Sequence, residues 1–252
     1  MNKQTILITG GTGLFGRQFV NFFSKNNFEV IFISTNESKS IELRESCLEK
    51  DNISFLICDL ININEREKIL ENLKSKGRQV NHLINNARSL NNLSINEDGE
   101  TDRKNFLSEY LLNVVVPYEL SMYLYKAQPE TLNTITNISS QYGIVAANPN
   151  LYKSYIHEYA IQYGISKAAL NHLTKDLAIR FVDKDIRVNC VAYGGVEGRV
   201  DKDFKKRYEK LSPNKRMLKE SEIVGPVNML ISETNSAING QTIIADGGWT
   251  LW

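Results

Sequence analysis

Thr5-Ile6-Leu7-Ile8-Thr9-Gly10-Gly11-Thr12-Gly13-Leu14-Phe15-Gly16 is an apolar, β-branched run that breaks into a glycine-rich turn. The run suits a buried parallel strand. After it, Leu14, Phe15, Phe19, Phe22 and Phe23 recur at three-to-four spacing, which predicts a helix. Strand, glycine turn and helix in that order is the context a dinucleotide fingerprint requires. Gly10 allows the sharp turn, Gly13 lets the backbone approach a pyrophosphate, and Gly16 lets the helix press on the strand. The helix start then offers unpaired N–H groups and a positive dipole end to phosphate. Thr12, Leu14 and Phe15 belong to the same turn and are expected to touch the cofactor with the glycines.

The pattern repeats along the chain. Strand-like runs occupy 28–34, 53–58, 80–84, 132–138, 186–192 and 241–245, with helical spacing between them at 41–50, through Ile69, Leu70 and Leu73, at 104–125, at 160–182 and at 222–232. Gly225-Pro226 is expected to break the last helix early. Residues 88–102 read as a polar loop, 144–158 as a longer loop of the kind that forms lids, and the stretch up to Lys219 as charged and mobile. No repeat or linker divides the chain. Alternating βα units over 252 residues predict one α/β domain with a parallel sheet, spanning 1–252. Hydrophobic residues make up 42%, enough for a core. The net charge of +1 points away from nucleic acid and from membrane surfaces. The mixed-sign run Lys202-Asp203-Phe204-Lys205-Lys206-Arg207 reads as a solvated helix face. No signal peptide is expected ahead of the first strand, and no apolar stretch is long enough to span a bilayer. Cys47, Cys58 and Cys190 are far apart, and His82, His157 and His172 share no ligand spacing, so no metal site is expected and a reducing cytoplasm is.

Tyr163-Gly164-Ile165-Ser166-Lys167 carries the chemistry. Four residues apart on a helix, the phenol and the ammonium share a face. A cation beside a phenol favours the phenolate, which fits Tyr163 to exchange a proton with a substrate oxygen. Asn113 lies among apolar helix neighbours, four residues before Pro117, either as a satisfied core amide or as part of a polar relay. Ser140 ends a strand, where it either caps or meets a substrate. Asp59 follows a strand, where it either accepts from an adenine amino group or caps the next helix. The second strand ends Ser34-Thr35-Asn36 with no carboxylate, which leans towards NADP over NAD. Asn85-Asn86-Ala87 can lock a turn with its amides and pass close to a cofactor at Ala87. Arg88 either contacts phosphate or points to solvent.

Taken together, Thr9-Gly10, Gly13, Gly16, Asp59, Asn85-Asn86-Ala87, Asn113, Ser140, Tyr163, Lys167 and Asp246-Gly247-Gly248 resemble the short-chain dehydrogenase/reductase family, in its compact, single-domain branch. The resemblance covers nearly the whole chain. It implies a Rossmann-type, doubly wound parallel sheet of about seven strands with helices on both faces. It implies Tyr163 as acid/base, Lys167 on the nicotinamide ribose, Ser140 on the substrate oxygen and Asn113 anchoring a relay water. Gly10, Thr12, Gly13, Leu14, Phe15, Gly16, Ser34, Asp59, Leu60, Asn86, Ala87 and Val196 would line NADP or NAD with Tyr163 and Lys167. The expected reaction interconverts a secondary alcohol and a ketone on a small molecule. The glycine spacing, commoner in the sugar-nucleotide branch, keeps open a dehydratase or epimerase with internally recycled cofactor; a non-catalytic cofactor sensor is a third reading. Tyr193 and Gly198 depart from residues common in the family. Ser140 and Tyr163 enclose extra residues, among them Tyr152, Lys153, Tyr155, His157 and Tyr159, which are expected to cover the substrate and whose aromatic and basic groups suit a sugar or a phosphorylated sugar. Gly194-Gly195-Val196-Glu197-Gly198-Arg199 and the ending Asp246-Gly247-Gly248-Trp249 look like bacterial members acting in surface-glycan or flagellin-sugar pathways. Family members usually form homodimers or homotetramers, here with Leu107, Leu111, Leu170 and Leu177 either at that seam or in the core.

Overall fold

The computed structural model describes residues 3–198 and 200–251; Arg199 lies outside the described residues. Seven parallel strands form one sheet in the order β3-β2-β1-β4-β5-β6-β7. They are β1 Thr5–Thr9, β2 Glu29–Ser34, β3 Ile53–Ile57, β4 His82–Asn85, β5 Thr134–Ser140, β6 Arg187–Tyr193 and β7 Thr242–Ala245. The helices are α1 Leu14–Lys25, α2 Glu37–Ser46, α3 Ile63–Ser75, α4 Arg103–Tyr110, α5 Val116–Ala127, α6 Tyr155–Glu158, α7 Ile161–Arg180, α8 Lys202–Leu211 and α9 Val224–Ile231. The order of strands reverses between β1 and β4, which opens a crevice at the carboxyl ends of the strands.

Strand alternation divides the core. Leu7, Leu83, Ile135 and Val188 face α3, α5 and α7, packing against Leu70, Leu73, Leu120, Leu124 and Leu177. Ile6, Ile8, Ile84 and Val191 face α1, α2 and α9, packing against Phe19, Phe23, Leu43 and Val227. Side chains on both faces are buried because helices cover both, which is why the strands read as continuous apolar runs.

Several expectations change. The stretch read as mobile contains α8, and its Phe204, Tyr208 and Leu211 sit at helical spacing and pack against Leu151, Met217 and Trp249. Its many lysines hide this stripe from a reading by composition. Gly225-Pro226 does not break α9, because both lie in its first turn, where a missing N–H costs no helical bond. The helix placed at 41–50 begins earlier, capped by Asn36, and ends at Ser46. Asp59 does not cap α3; Asn62 does, accepting from the N–H groups of Asn64 and Glu65. The helix placed at 104–125 runs from α4 into α5 through a π-helical turn at Leu111–Val115. Of the leucines read as seam or core, Leu170 and Leu177 are core residues at 1% exposure, whereas Leu107 is 57% exposed.

His82 lies buried at the start of β4. Its Nδ1 faces the Thr134 hydroxyl at 2.8 Å and its Nε2 faces Gln4 Oε1 at 3.2 Å. A neutral ring satisfies both by accepting at Nδ1 and donating at Nε2. Burial, with some repulsion from Arg187, lowers its pKa from 6.5 to about 4. Between those values the unfolded chain binds the extra proton, so this stability is complete above the unfolded pKa and is lost as pH falls through the folded one. The loss amounts to roughly 3 kcal/mol. The urea midpoint is expected to fall between pH 7 and pH 4, and to fall less in His82→Gln; equal slopes in the two proteins would remove His82 from the acid response.

Candidate active site

Backbone contact builds the first half of the site. Gly10 has φ +69°, and a Cβ there would lie 2.8 Å from the Ala87 Cα. A Cβ on Gly16 would lie 2.2 Å from the Gly10 carbonyl oxygen. Only glycine fits either place. Asn86 Nδ2 donates to the carbonyls of Thr9 and Gly10 at 2.9 and 3.1 Å. The Thr9 hydroxyl accepts from the N–H groups of Asn86 and Ala87, both at 2.9 Å. The end of β4 is thereby bolted to the glycine turn. Gly13 caps α1 without a side-chain hydrogen bond, and no acidic residue stands in the first turn. Those open N–H groups fit a pyrophosphate. Thr12 bonds the Ser34 hydroxyl at 2.9 Å, and Ser34 also accepts from the Asn36 N–H, so it fixes the end of β2. Leu14 opens α1, and Phe15 meets the Tyr193 ring edge-to-face at 5.1 Å. Tyr193 is buried and its hydroxyl donates to the Ile223 carbonyl. Asp59 is exposed and accepts from the Ile61 N–H at 3.0 Å; the Leu60 side chain is in the core. Val196 pairs with Leu218 beside the core that contains Phe15.

The second half comes from β5, α7 and the π-helical turn. Lys167 is buried, and its Nζ donates to the Ile138 carbonyl at 2.8 Å. It lies 6.0 Å from the Tyr163 ring centre. Ser140 closes β5, and its hydroxyl accepts from the Tyr142 N–H at 3.2 Å, so it caps the strand end as well as facing the phenol. Strand alternation turns Ser139 the other way, where it donates to the Lys167 carbonyl at 3.3 Å. Asn113, in the π-helical turn, donates from Nδ2 to Glu109 at 2.6 Å and to Ser166 at 3.0 Å. A cavity of about 10 Å³ is enclosed by Thr9, Asn85, Ala87, Asn113 and Lys167 among others, room for one water on the relay side of the lysine.

Two residues of this centre carry no family signal. Arg88 is exposed, and its guanidinium lies over the Tyr163 ring, 4.6 Å from the centroid. Glu109 is fully buried, and burial raises its pKa, opposed by the Asn113 hydrogen bond and by the Lys167 and Arg88 charges. Its signal in the sequence is an acid on an apolar helix face, four residues before Asn113. Burial by itself would raise the Tyr163 phenol; the Arg88 charge, then the Lys167 charge and the Ser140 hydrogen bond, bring it below the usual 10. Burial and Arg88 likewise lower Lys167, against the pull of Tyr163.

A family model described as enoyl-(acyl carrier protein) reductase, from the short-chain dehydrogenase/reductase group, matches residues 14–250. The chain belongs to the short-chain dehydrogenase/reductase family. As such it is an NAD(P)-dependent oxidoreductase. The post-translational flagellin modification protein A of Campylobacter coli is 23% identical, over 100% of both chains. A short-chain dehydrogenase from Leptospira borgpetersenii with bound NAD+ superposes with a TM-score of 0.86 at 27% identity, covering 99% of this chain and 94% of the other. ElxO with NADP bound superposes at 0.81 and 27%, covering 99% and 100%.

In this short-chain dehydrogenase/reductase the extra residues between Ser140 and Tyr163 form a strap. Tyr152 and Tyr159 turn inward, and the Tyr152 hydroxyl donates to that of Tyr142 at 3.0 Å. Tyr155 stacks on Tyr159 at 5.3 Å, and Tyr152 meets Phe204 of α8 at 5.9 Å. Burial holds the hydroxyls of Tyr152 and Tyr159 up at about 12, so they stay neutral donors. Lys153 and His157 remain exposed on the strap. Helix α8 closes beneath it: Tyr208 stacks on Trp249 at 4.4 Å, accepts from the Gly195 N–H at 2.9 Å and donates to Gln141 at 3.1 Å.

Removing either cation should raise the Tyr163 phenol. The phenolate absorbance of the wild type, less that of Tyr163→Phe, isolates this one tyrosine. Its midpoint is expected to move to higher pH in Arg88→Gln and in Lys167→Met; an unmoved midpoint in both would mean that neither charge reaches the phenol.

Proposed function

We propose that this enzyme interconverts a secondary alcohol and a ketone on a sugar or sugar-linked substrate, with NADP preferred over NAD. The observation that carries the chemistry is the phenol of Tyr163, tuned downwards by two cations and placed beside Ser140 at the carboxyl end of the sheet. When bound, the nicotinamide supplies or accepts the hydride. Ser140 offers its hydroxyl to the substrate oxygen and holds it towards Tyr163. Tyr163 gives a proton to that oxygen in reduction and takes one in oxidation. Lys167 keeps the phenolate form accessible, and Asn113 with the adjacent cavity supports resupply of the proton through a water. Reduction needs the phenol and slows as pH rises; oxidation needs the phenolate and quickens with pH up to a plateau.

The sugar reading is supported by the full-length likeness to the flagellin modification protein and by the exposed polar groups of the strap. The NADP reading is supported by the end of β2, where Ser34 and Asn36 stand and the first carboxylate, Glu37, already belongs to α2. The glycine spacing at 10, 13 and 16 supports a second reading, a nucleotide-sugar dehydratase or epimerase that recycles its cofactor. Exposed Leu107, Ile165 and Ile179 on α4 and α7 support a homodimer or homotetramer. Three buried, free cysteines support a reducing cytoplasm, and among the described residues no helix is long and apolar enough to cross a membrane.

Turnover is read as reduced-nicotinamide absorbance across a panel of sugars and sugar nucleotides with each cofactor. Tyr163→Phe is expected to lower kcat by about a thousandfold with cofactor affinity retained. Wild-type turnover in that variant would take Tyr163 out of the mechanism. Product formation without any net absorbance change would instead favour the recycling reading.

A further inference from the structure

Among the described residues, Arg88 is the cation at this centre with no hydrogen-bond or ion-pair partner. It follows Ala87 directly, at the end of β4, and its side chain is exposed. The other described arginines are either paired, as Arg66 is with Glu119, Arg216 with Glu222 and Arg187 with the carbonyls of Leu230 and Ser232, or, like Arg17, Arg103 and Arg180, lie exposed on helices with no aromatic ring beneath them. Among the described residues, no ion pair and no hydrogen bond engages the Arg88 guanidinium. What holds it is the face of the Tyr163 ring, at 4.6 Å. Cation–π contact fixes the position of the guanidinium but leaves its N–H donors free.

The local charge is unbalanced. The charged groups that act on Tyr163 are Arg88, Lys167 and Glu109. Glu109 is buried behind Asn113, so the two cations at the phenol are faced by one acid and outnumber it. Lys167 already donates to the Ile138 carbonyl. The planar fork of Arg88 matches the paired oxygens of a carboxylate or phosphate. The cofactor pyrophosphate has its own donors at the start of α1, whereas the Arg88 side chain lies against α7 and the phenol.

We propose that Arg88 anchors an anionic group on the substrate, a carboxylate or a phosphate carried close to the carbon whose oxygen Tyr163 protonates. This rests on the oxidoreductase reading above and narrows its substrate to anionic alcohols and ketones, acidic or phosphorylated sugars among them.

The test uses the protein loaded with NADPH or NADH, with succinate and inorganic phosphate as anionic probes and succinamide as the uncharged control. Binding is read by calorimetry and by the fluorescence of the bound nicotinamide. The loaded wild type is expected to bind at least one anion and not succinamide. Arg88→Gln should weaken that binding by about tenfold or more, with Arg88→Lys in between, the range for losing a charge-assisted pair. Cofactor affinity should stay within about twofold in both variants. Arg88 is exposed, so both variants keep the core. No anion binding by the loaded wild type, or equal binding in Arg88→Gln, overturns the proposal. So does a tenfold loss of cofactor affinity in Arg88→Gln, which would give the guanidinium to the pyrophosphate. Failure of the wild type to bind either nicotinamide would remove the oxidoreductase reading itself, and would be seen before any anion is added.

Discussion

A buried ammonium has to be given partners, and the placement of Lys167 organises much of this molecule. Taking such a charge out of water costs several kcal/mol unless hydrogen bonds and nearby charge offset it. Here the offset is the Ile138 carbonyl, in the last turn of pairing on β5, and the π-face and oxygen of Tyr163. Both must stay where they are for the lysine to remain charged. Strand β5 lies between β4 and β6, where parallel pairing on both sides leaves it little freedom. Helix α7 is tied to it by polar contacts, Asn137 to Thr174 at 2.9 Å and Ser139 to the Lys167 carbonyl, and to the turn after it by Asn171 to the Gly143 carbonyl at 3.0 Å.

Those contacts continue across the sheet. Asn85 on β4 donates to Asn137 on β5 at 2.8 Å, so an amide chain runs beneath the site from β4 to α7. Asn86, the next residue, holds the glycine turn. One short stretch at the end of β4 therefore connects the glycine turn, helix α7 and, through Arg88, the phenol itself. Each donor of this amide chain has a buried acceptor, and such contacts favour one arrangement over its near neighbours. A shift of β4 by one residue would detach all three.

Local features were legible in the sequence. The glycine turn, Tyr163 with Lys167, and the ends of β2 and β4 are all read from spacings of a few residues, and covalent geometry carries such spacings directly into space. The charged run at 202–207 reads correctly as a solvated helix face, but composition hides the opposite face, whose three apolar members among lysines fix the helix against the pocket of Leu151, Met217 and Trp249. The capping of α3 by Asn62, in place of Asp59, turned on a three-residue shift that no pattern resolves. Leu170 and Leu177 fit a seam or the core equally well from the sequence, because helical periodicity says which residues share a face and not what that face meets; the structure puts both in the core.

From the chain alone came a doubly wound sheet, a turn shaped for a dinucleotide and a phenol–ammonium pair one helical turn apart. Each depends on backbone periods of two or 3.6 residues and on glycine where a Cβ has no room. Tertiary structure alone decided that Arg88 lies on the Tyr163 ring, that Glu109 backs Asn113 from the buried interior, and that the tyrosines of the strap turn onto one another. The physical reason is that a long polar or aromatic side chain has many partners within reach. Which one it takes depends on what distant segments bring alongside, and on how much water remains there once they have packed.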